Sequence, residues 1–282
     1  MGESFLIILR EGFEAALIVA IVLAYMRSIG RLDLAKTVWF GVLSAAAIAL
    51  VLGIILNTVV DGLEGQARMR TFAVICIAAA AVLTWMVFWM RKQSRHIKGE
   101  LQHAIDEALH SGSVGRALFL VAFFAVLREG IETALFLVAA ATGTDTVDIL
   151  VGGALGLVGA CALGLLVYHG GRKVPLQQFF KITGYLIIVF AAGLASKAVM
   201  FLQSSGDLGT VNNAAYNLTG VHWLTNESEV GKFLAGIFGW DPRPSVEQVV
   251  VWLLVLVPLA VLFSRQAAAP KAKQPAPAVS AS

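Results

Sequence analysis

The sequence predicts an all-α integral membrane protein: seven transmembrane helices, built as two inverted three-helix repeats plus a seventh helix. Three observations carry that prediction. Hydrophobic residues make up 58% of the 282-residue chain and charged residues only 14%, with a mean hydropathy of +0.81; soluble domains carry about 25% charged residues. Seven apolar runs approach the roughly 20 residues that a spanning helix needs. Lys and Arg are distributed very unevenly between alternate connections, as the positive-inside rule requires of a spanning chain.

The runs lie near residues 4–26, 38–60, 71–90, 117–141, 147–168, 182–202 and 247–264. The first lacks a positively charged n-region and is interrupted at once by Arg10, Glu11 and Glu14, so it reads as a retained helix, not a cleaved signal. Leu6 stands where a myristoylation signal needs Ser or Thr. The second run has small residues at four-residue steps, Gly41, Ala45, Ala49 and Gly53, and the fifth has Gly152, Gly156, Ala160 and Gly164. Such stripes let another helix approach closely, which is a packing role. The third ends in Trp85, Met86, Trp89 and Met90, an interfacial belt, followed by Arg91 and Lys92.

Residues 91–111 read as an amphipathic surface helix, with Ile97, Leu101, Ile105 and Leu109 on one face and His96, His103 and His110 seven apart. The histidines are a candidate exit site for metal; a solvated polar face is the simpler reading. In the sixth run Lys197 is an intramembrane lysine that could pair with a spare glutamate and be displaced when metal arrives; lying a few residues from the helix end, it reads rather as snorkelling outward. The long connection 203–246 includes Val230, Phe233, Leu234, Ile237 and Phe238, which predict a short helix lying on the membrane surface. The Ala-, Pro-, Lys- and Ser-rich tail, 265–282, reads as disordered. Cys76 and Cys161 both fall in apolar runs and suggest no disulfide.

Connections on one side of the membrane hold fourteen Lys and Arg; the other side holds only Arg68, Arg70, Lys232 and Arg243. This places the N-terminus outside and the C-terminus in the cytoplasm. The expected organisation is a first three-helix repeat with its cytoplasmic connector over 1–116, a second repeat over 117–202, an external loop over 203–246, a seventh helix over 247–264 and the tail. A net charge of +3 gives no reason to expect nucleic acid as a partner; membrane lipid is the surroundings.

One phrase occurs twice. Leu9 to Leu17 reads LREGFEAAL, and Leu127 to Leu135 reads LREGIETAL. Each charge inside an apolar run costs roughly 2.5–3.5 kcal/mol on insertion scales. Arg10 and Arg128 each sit four residues before a glutamate, Glu14 and Glu132, and can pair with it. Glu11, Glu14, Glu129 and Glu132 against two arginines leave a charge of −2, for which a cation is the natural partner. Three spans separate the copies, so they run in opposite directions, the plan of many transporters with a midplane site. Gly12 and Gly130 lie between the acids and would let the two helices cross, gathering four carboxylates. Hard oxygen ligands with residual negative charge suit a di- or trivalent ion; iron, manganese, calcium and magnesium are not separated by this. Asp61 and Glu64, three apart at the outer mouth, could collect cations or simply be a solvated loop end.

The duplicated Arg-Glu-Gly-x-Glu resembles the oxidase-dependent iron transporter family, which holds the fungal Ftr-type high-affinity iron permeases and the bacterial EfeU-type permeases. The resemblance covers nearly the whole chain, including Glu64-Gly65 and the stretch from Gly231 to Ser245 with Gly239-Trp240 and Pro242-Arg243-Pro244-Ser245. It implies iron uptake across the cytoplasmic (inner) membrane, with iron bound and passed by Glu11, Glu14, Glu129 and Glu132, and Arg10 and Arg128 in support. It implies iron as a transported substrate and no permanently bound cofactor, with a periplasmic iron-binding protein and a haem peroxidase-like protein as partners. The alternatives are a permease for another divalent metal such as manganese or lead, or a membrane enzyme using paired carboxylates. No histidine pair suited to a redox cofactor stands within the runs, which disfavours the enzyme.

Overall fold

The structure is a computed structural model, and it describes residues 2–93, 114–140, 146–170, 176–210 and 214–268. Each of the seven apolar runs falls on one long helix: α1 Gly2–Ser28, α2 Ala35–Asp61, α3 Gly65–Gln93, α4 Val114–Ala140, α5 Thr146–Gly170, α6 Leu176–Ser204 and α8 Val246–Ala268. A shorter helix, α7 Glu229–Phe238, precedes the last. The amphipathic connector with His96, His103 and His110 lies outside the described residues. Helix α8 continues to Ala268, so the first residues of the expected tail are helical.

Five long helices, α2, α3, α5, α6 and α8, are apolar and long enough to cross a membrane. The other two, α1 and α4, are of similar length and carry the repeated charged phrase. The polarity is that of a soluble protein turned inside out. Phe40, Leu43 and Leu50 of α2 and Leu155 and Val158 of α5 are exposed, whereas Arg10, Glu11, Glu14, Glu129 and Glu132 are buried.

The packing is ordered by small residues. Helix α1 packs mainly on α5, α2 on α4, and α3 on α6, while α1 also crosses α4. This set of pairs is unchanged when α1, α2 and α3 are exchanged with α4, α5 and α6. The correspondence holds residue by residue. Gly130 of α4 lies against Ala49 of α2, and Gly12 of α1 against Ala160 of α5; Gly53 faces Ala134, and Gly164 faces Ala16. The predicted stripes of α2 and α5 are therefore the surfaces on which the two charged helices seat. At Gly156 the backbones nearly touch: a Cβ there would lie 2.6 Å from the Phe5 carbonyl oxygen.

These contacts correct one expectation. Gly12 and Gly130 do not face one another across an α1–α4 crossing; each fits the small-residue stripe of the opposite half. A helix has several faces, and the acids at positions 11 and 14 occupy a different one from Gly12.

Helix α7 also differs from expectation. Ser228 caps its N-terminus by accepting from the Gly231 N–H at 2.9 Å. The helix does not lie flat on the surface: it descends beside α6. Its C-terminal Gly239 adopts a left-handed φ of 65° and lies against Gly193. Gly193 is eleven residues before the end of α6, about 16 Å along that helix. The Trp252 indole donates to the Phe238 carbonyl at 2.8 Å, and the chain then climbs back so that Ser245 donates to Gln203 at 3.0 Å. Residues 229–245 thus form a hairpin that dips between helices and returns. Only glycine suits position 239, where the left-handed backbone and the contact with Gly193 both exclude a side chain. The apolar stripe indicated a membrane-facing surface, which Val230, Phe233 and Phe238 do present; the opposite edge, with Gly231, Gly236 and Ile237, is buried.

Candidate metal site

The first copy of the phrase sits inside α1 and the second inside α4, where the helical repeat puts the two acids of each copy on one face. The α1–α4 crossing brings the copies together. Glu11, Glu14 and Glu129 each offer a carboxylate oxygen, and these lie within 4.8 Å of one another. All three residues are at most 6% exposed. Glu132, 9% exposed, stands beside them and is held by the Arg128 Nε at 3.0 Å.

The two arginines are used differently. The Arg10 guanidinium engages both acids of its own copy: one Nη donates to Glu11 and the other lies 2.9 Å from Glu14 Oε1. Arg128 binds Glu132 and reaches Glu129 only at 3.9 Å. Both pairs at i,i+4 spacing expected from the sequence are therefore present. Helix α3 backs both arginines from one face. Met86 Sδ lies 3.3 Å and 3.4 Å from the two Arg10 Nη atoms, and the Trp89 ring lies 4.2 Å below the Arg128 guanidinium. The belt reading of Trp89 and the adjacent Met86 missed this; the signal was their three-residue spacing, which puts them on one helix face.

The donor set has spare capacity. Glu11 Oε2, Glu129 Oε2 and Glu132 Oε2 are buried and accept no hydrogen bond. A buried acceptor without a donor costs about 1–3 kcal/mol, more when charged. Two ionised carboxylates at 4.8 Å, the outer bound of the spacing here, would repel by about 3.5 kcal/mol at an effective dielectric of 20. Both costs fall when a cation binds between them. The oxygen-only set suits a hard or borderline ion; the Met86 sulfur beside Arg10 is engaged with its guanidinium.

The remaining candidates lie elsewhere. Asp61 and Glu64 are exposed at the connection of α2 and α3. Asp61 accepts from Asn57 at 2.8 Å and lies 3.5 Å from Arg68, so its charge is partly balanced. Lys197 does not snorkel. Its side chain is 11% exposed and its Nζ lies 3.5 Å from Glu3 Oε1, near the start of α1. Glu3, 7% exposed, is a buried acid that the sequence reading did not single out. Its only signal was a charge three residues into the chain, where solvent exposure is the ordinary expectation. Cys76 is a buried free thiol and Cys161 an exposed one, consistent with the absence of a disulfide expectation.

Comparison with known proteins agrees with this picture. The sequence model of the iron permease FTR1 family matches residues 1–269. The ferrous iron permease EfeU of Shigella sonnei (strain Ss046) is 40% identical over 265 residues, which is 94% of this chain and 95% of that protein. The ferrous iron permease EfeU of Escherichia coli O6:H1 (strain CFT073) is 41% identical over 93% of this chain and 95% of its own length. That of Yersinia pestis is 40% identical over 93% of each. No solved structure matches.

Proposed function

The chain belongs to the iron permease FTR1 family, a family of transporters and not of enzymes, and from that premise we propose that it takes up iron across the cytoplasmic membrane through the carboxylate cluster of α1 and α4. In this reading the seven long helices all span, with the N-terminus outside. Helices α1–α3 and α4–α6 are inverted repeats, and the exchange symmetry of their contacts supports this. The α7 hairpin enters from the outer side, and α8 is the seventh span.

One observation carries the assignment of the site. Three buried carboxylates from α1 and α4, the two helices that carry the repeated phrase, converge within 4.8 Å, with oxygens to spare, inside a chain that otherwise presents exposed aliphatic surface. Glu11, Glu14 and Glu129 are the ligands that gather the ion, and Glu132 joins them when Arg128 yields it. The arginines keep the cluster from carrying four unbalanced charges, yet leave −2 for the cargo to neutralise. Binding two positive charges here is favourable; passage then requires that the ligands be shared between copies and released in turn. The relatives' names point to the ferrous ion as the form carried. A periplasmic iron-binding protein and a haem peroxidase-like protein are the expected partners on the outer side.

The test is uptake by purified protein in liposomes, with iron clamped ferrous or ferric and a proton gradient imposed or collapsed. Glu11→Ala and Glu129→Ala should each abolish uptake while the protein still inserts. Normal uptake by either variant would remove the cluster from the pathway. Competition by manganese, zinc and lead tests the metal; preference for manganese or lead over iron would assign a different cargo to the same site.

A further inference from the structure

Helices α1 and α6 barely touch along their length. A crevice separates them, and it runs from Glu3 and Ile237 at one end to Arg10 and Glu11 at the other. Leu6 and Ile7 of α1 and Leu186 and Phe190 of α6 make its walls aliphatic and aromatic. Eight residues, about 12 Å of helix, separate Glu3 from Glu11. The crevice therefore reaches Glu11 of the carboxylate cluster at one end, and at the other it is lined by Glu3, which pairs with Lys197 of α6.

That pair is built with care for burial and not for strength. Glu3 Oε1 and Lys197 Nζ are 3.5 Å apart, longer than a good charge-assisted hydrogen bond, and Glu3 Oε1 accepts no hydrogen bond. The other oxygen, Oε2, is pressed against Gly236 of the α7 hairpin; a Cβ there would lie 2.7 Å from it. Three elements, α1, α6 and the hairpin, thus meet on one carboxylate. Lys197 lies seven residues before the end of α6, about 10 Å from that end, on the side where the hairpin enters.

Resting on the orientation proposed above, we propose that Glu3 is an additional station for the incoming hard divalent cation, and that Lys197 is its displaceable occupant, so that the pair gates the outer end of the crevice. An ammonium and a divalent cation compete for one carboxylate, and the ion with twice the charge prevails. Displacing Lys197 unties α1 from α6. A single carboxylate holds the ion weakly enough to leave, and the largely apolar walls beyond it offer no second carboxylate before Glu11.

The experiment measures ferrous uptake in liposomes with four variants beside wild type. Lys197→Met removes the competitor and should lower KM about fivefold, whereas Glu3→Gln removes the station and should raise it about fivefold, the size of one such ion contact. Lys197→Arg keeps the charge and folding but grips the carboxylate with two donors, and should raise KM with kcat unchanged. Glu11→Gln is run alongside. If it transports like wild type, the assignment of the main site has failed, whatever the gate variants do. If it is inactive while Lys197→Met and Glu3→Gln shift KM in the same direction, or Lys197→Arg equals wild type, then the pair is only a structural tie and the gate is overturned.

Discussion

The two glycines of the repeated phrase make unequal demands, and the difference can be measured. A Cβ at Gly130 would collide with the Ala49 Cβ, so α2 and α4 must move apart to admit it. At Gly12 the corresponding contact with Ala160 is 3.0 Å, which a shift of a few tenths of an ångström relieves. Overpacking of this kind costs about 1–3 kcal/mol. Replacing a helical glycine by alanine returns about 1 kcal/mol of backbone entropy. Gly12→Ala should therefore be near neutral, while Gly130→Ala, with the harder collision, should lose about 2 kcal/mol net, a fall of roughly 3–4 °C in the unfolding midpoint in detergent. Ala49→Gly in the Gly130→Ala background removes the colliding atom and should restore the midpoint, a coupling that independent sites do not show. Because Glu129 is the neighbouring residue, uptake should fall and recover with it. Gly130→Ala as stable as wild type, or a double variant no better than the single, would refute the seating of α4 on α2.

Trp89→Ala should free Arg128 from its ring and raise the KM for iron several-fold, since a cation–π contact contributes about 0.5–2 kcal/mol, while Trp89→Phe should retain most of it; equal KM for all three would dismiss the ring. Outside the membrane, Arg70 binds Asp207 through two hydrogen bonds of 2.7 Å, and Ser205 donates to the same carboxylate at 2.8 Å. The hydrogen bond from Arg70, then that from Ser205, holds the Asp207 carboxyl below its ordinary range. A depressed folded pKa contributes stability above the unfolded value, near 3.9, and loses it as pH falls through the folded one. Asp207→Asn should thus lower the unfolding midpoint at neutral pH, and its midpoint should converge with wild type in strong acid; a difference independent of pH would contradict this.

Much of the scaffold was legible because the membrane makes burial and periodicity unambiguous. A run of apolar residues has one use there, so all seven runs appear as single long helices. The stripes of Gly41, Ala45, Ala49 and Gly53, and of Gly156, Ala160 and Gly164, gave the packing faces but not their partners. Spacing tells which residues share a face, not which helix meets it. For the same reason Gly12 and Gly130 were matched with each other when each meets the opposite half's second helix. The α7 hairpin was misread for a different reason. Val230, Phe233 and Phe238 supply a lipid-facing stripe, but insertion depends on the absence of side chains at Gly193, Gly236 and Gly239, which carries no hydrophobic signal.

The charge balance shows what sequence counting does and does not need. Counting the repeated phrase gave four acids against two arginines and a remainder of −2, with Glu3 and Lys197 both left out. In the structure Glu3 is buried and the Lys197 side chain is only 11% exposed, which raises the tally to five acids and three bases. The remainder is still −2, because the added pair cancels itself. What changes is the location of the negative charge when a cation arrives. At the cluster the formal deficit is built into the residue set, two arginines against four carboxylates. At Glu3 it would arise only when Lys197 withdraws. In the function proposed above the first makes the binding site and the second the gate, and Glu3 and Glu11 lie about 12 Å apart on one helix. The same α1 that supplies half of the cluster therefore supplies the point at which access to it can be controlled, so a change in the register of α1 against α5, as Gly156→Val would force against Phe5, should disturb binding and access together. Measured as uptake, that variant should lose both affinity and maximal rate, whereas Lys197→Met changes affinity alone.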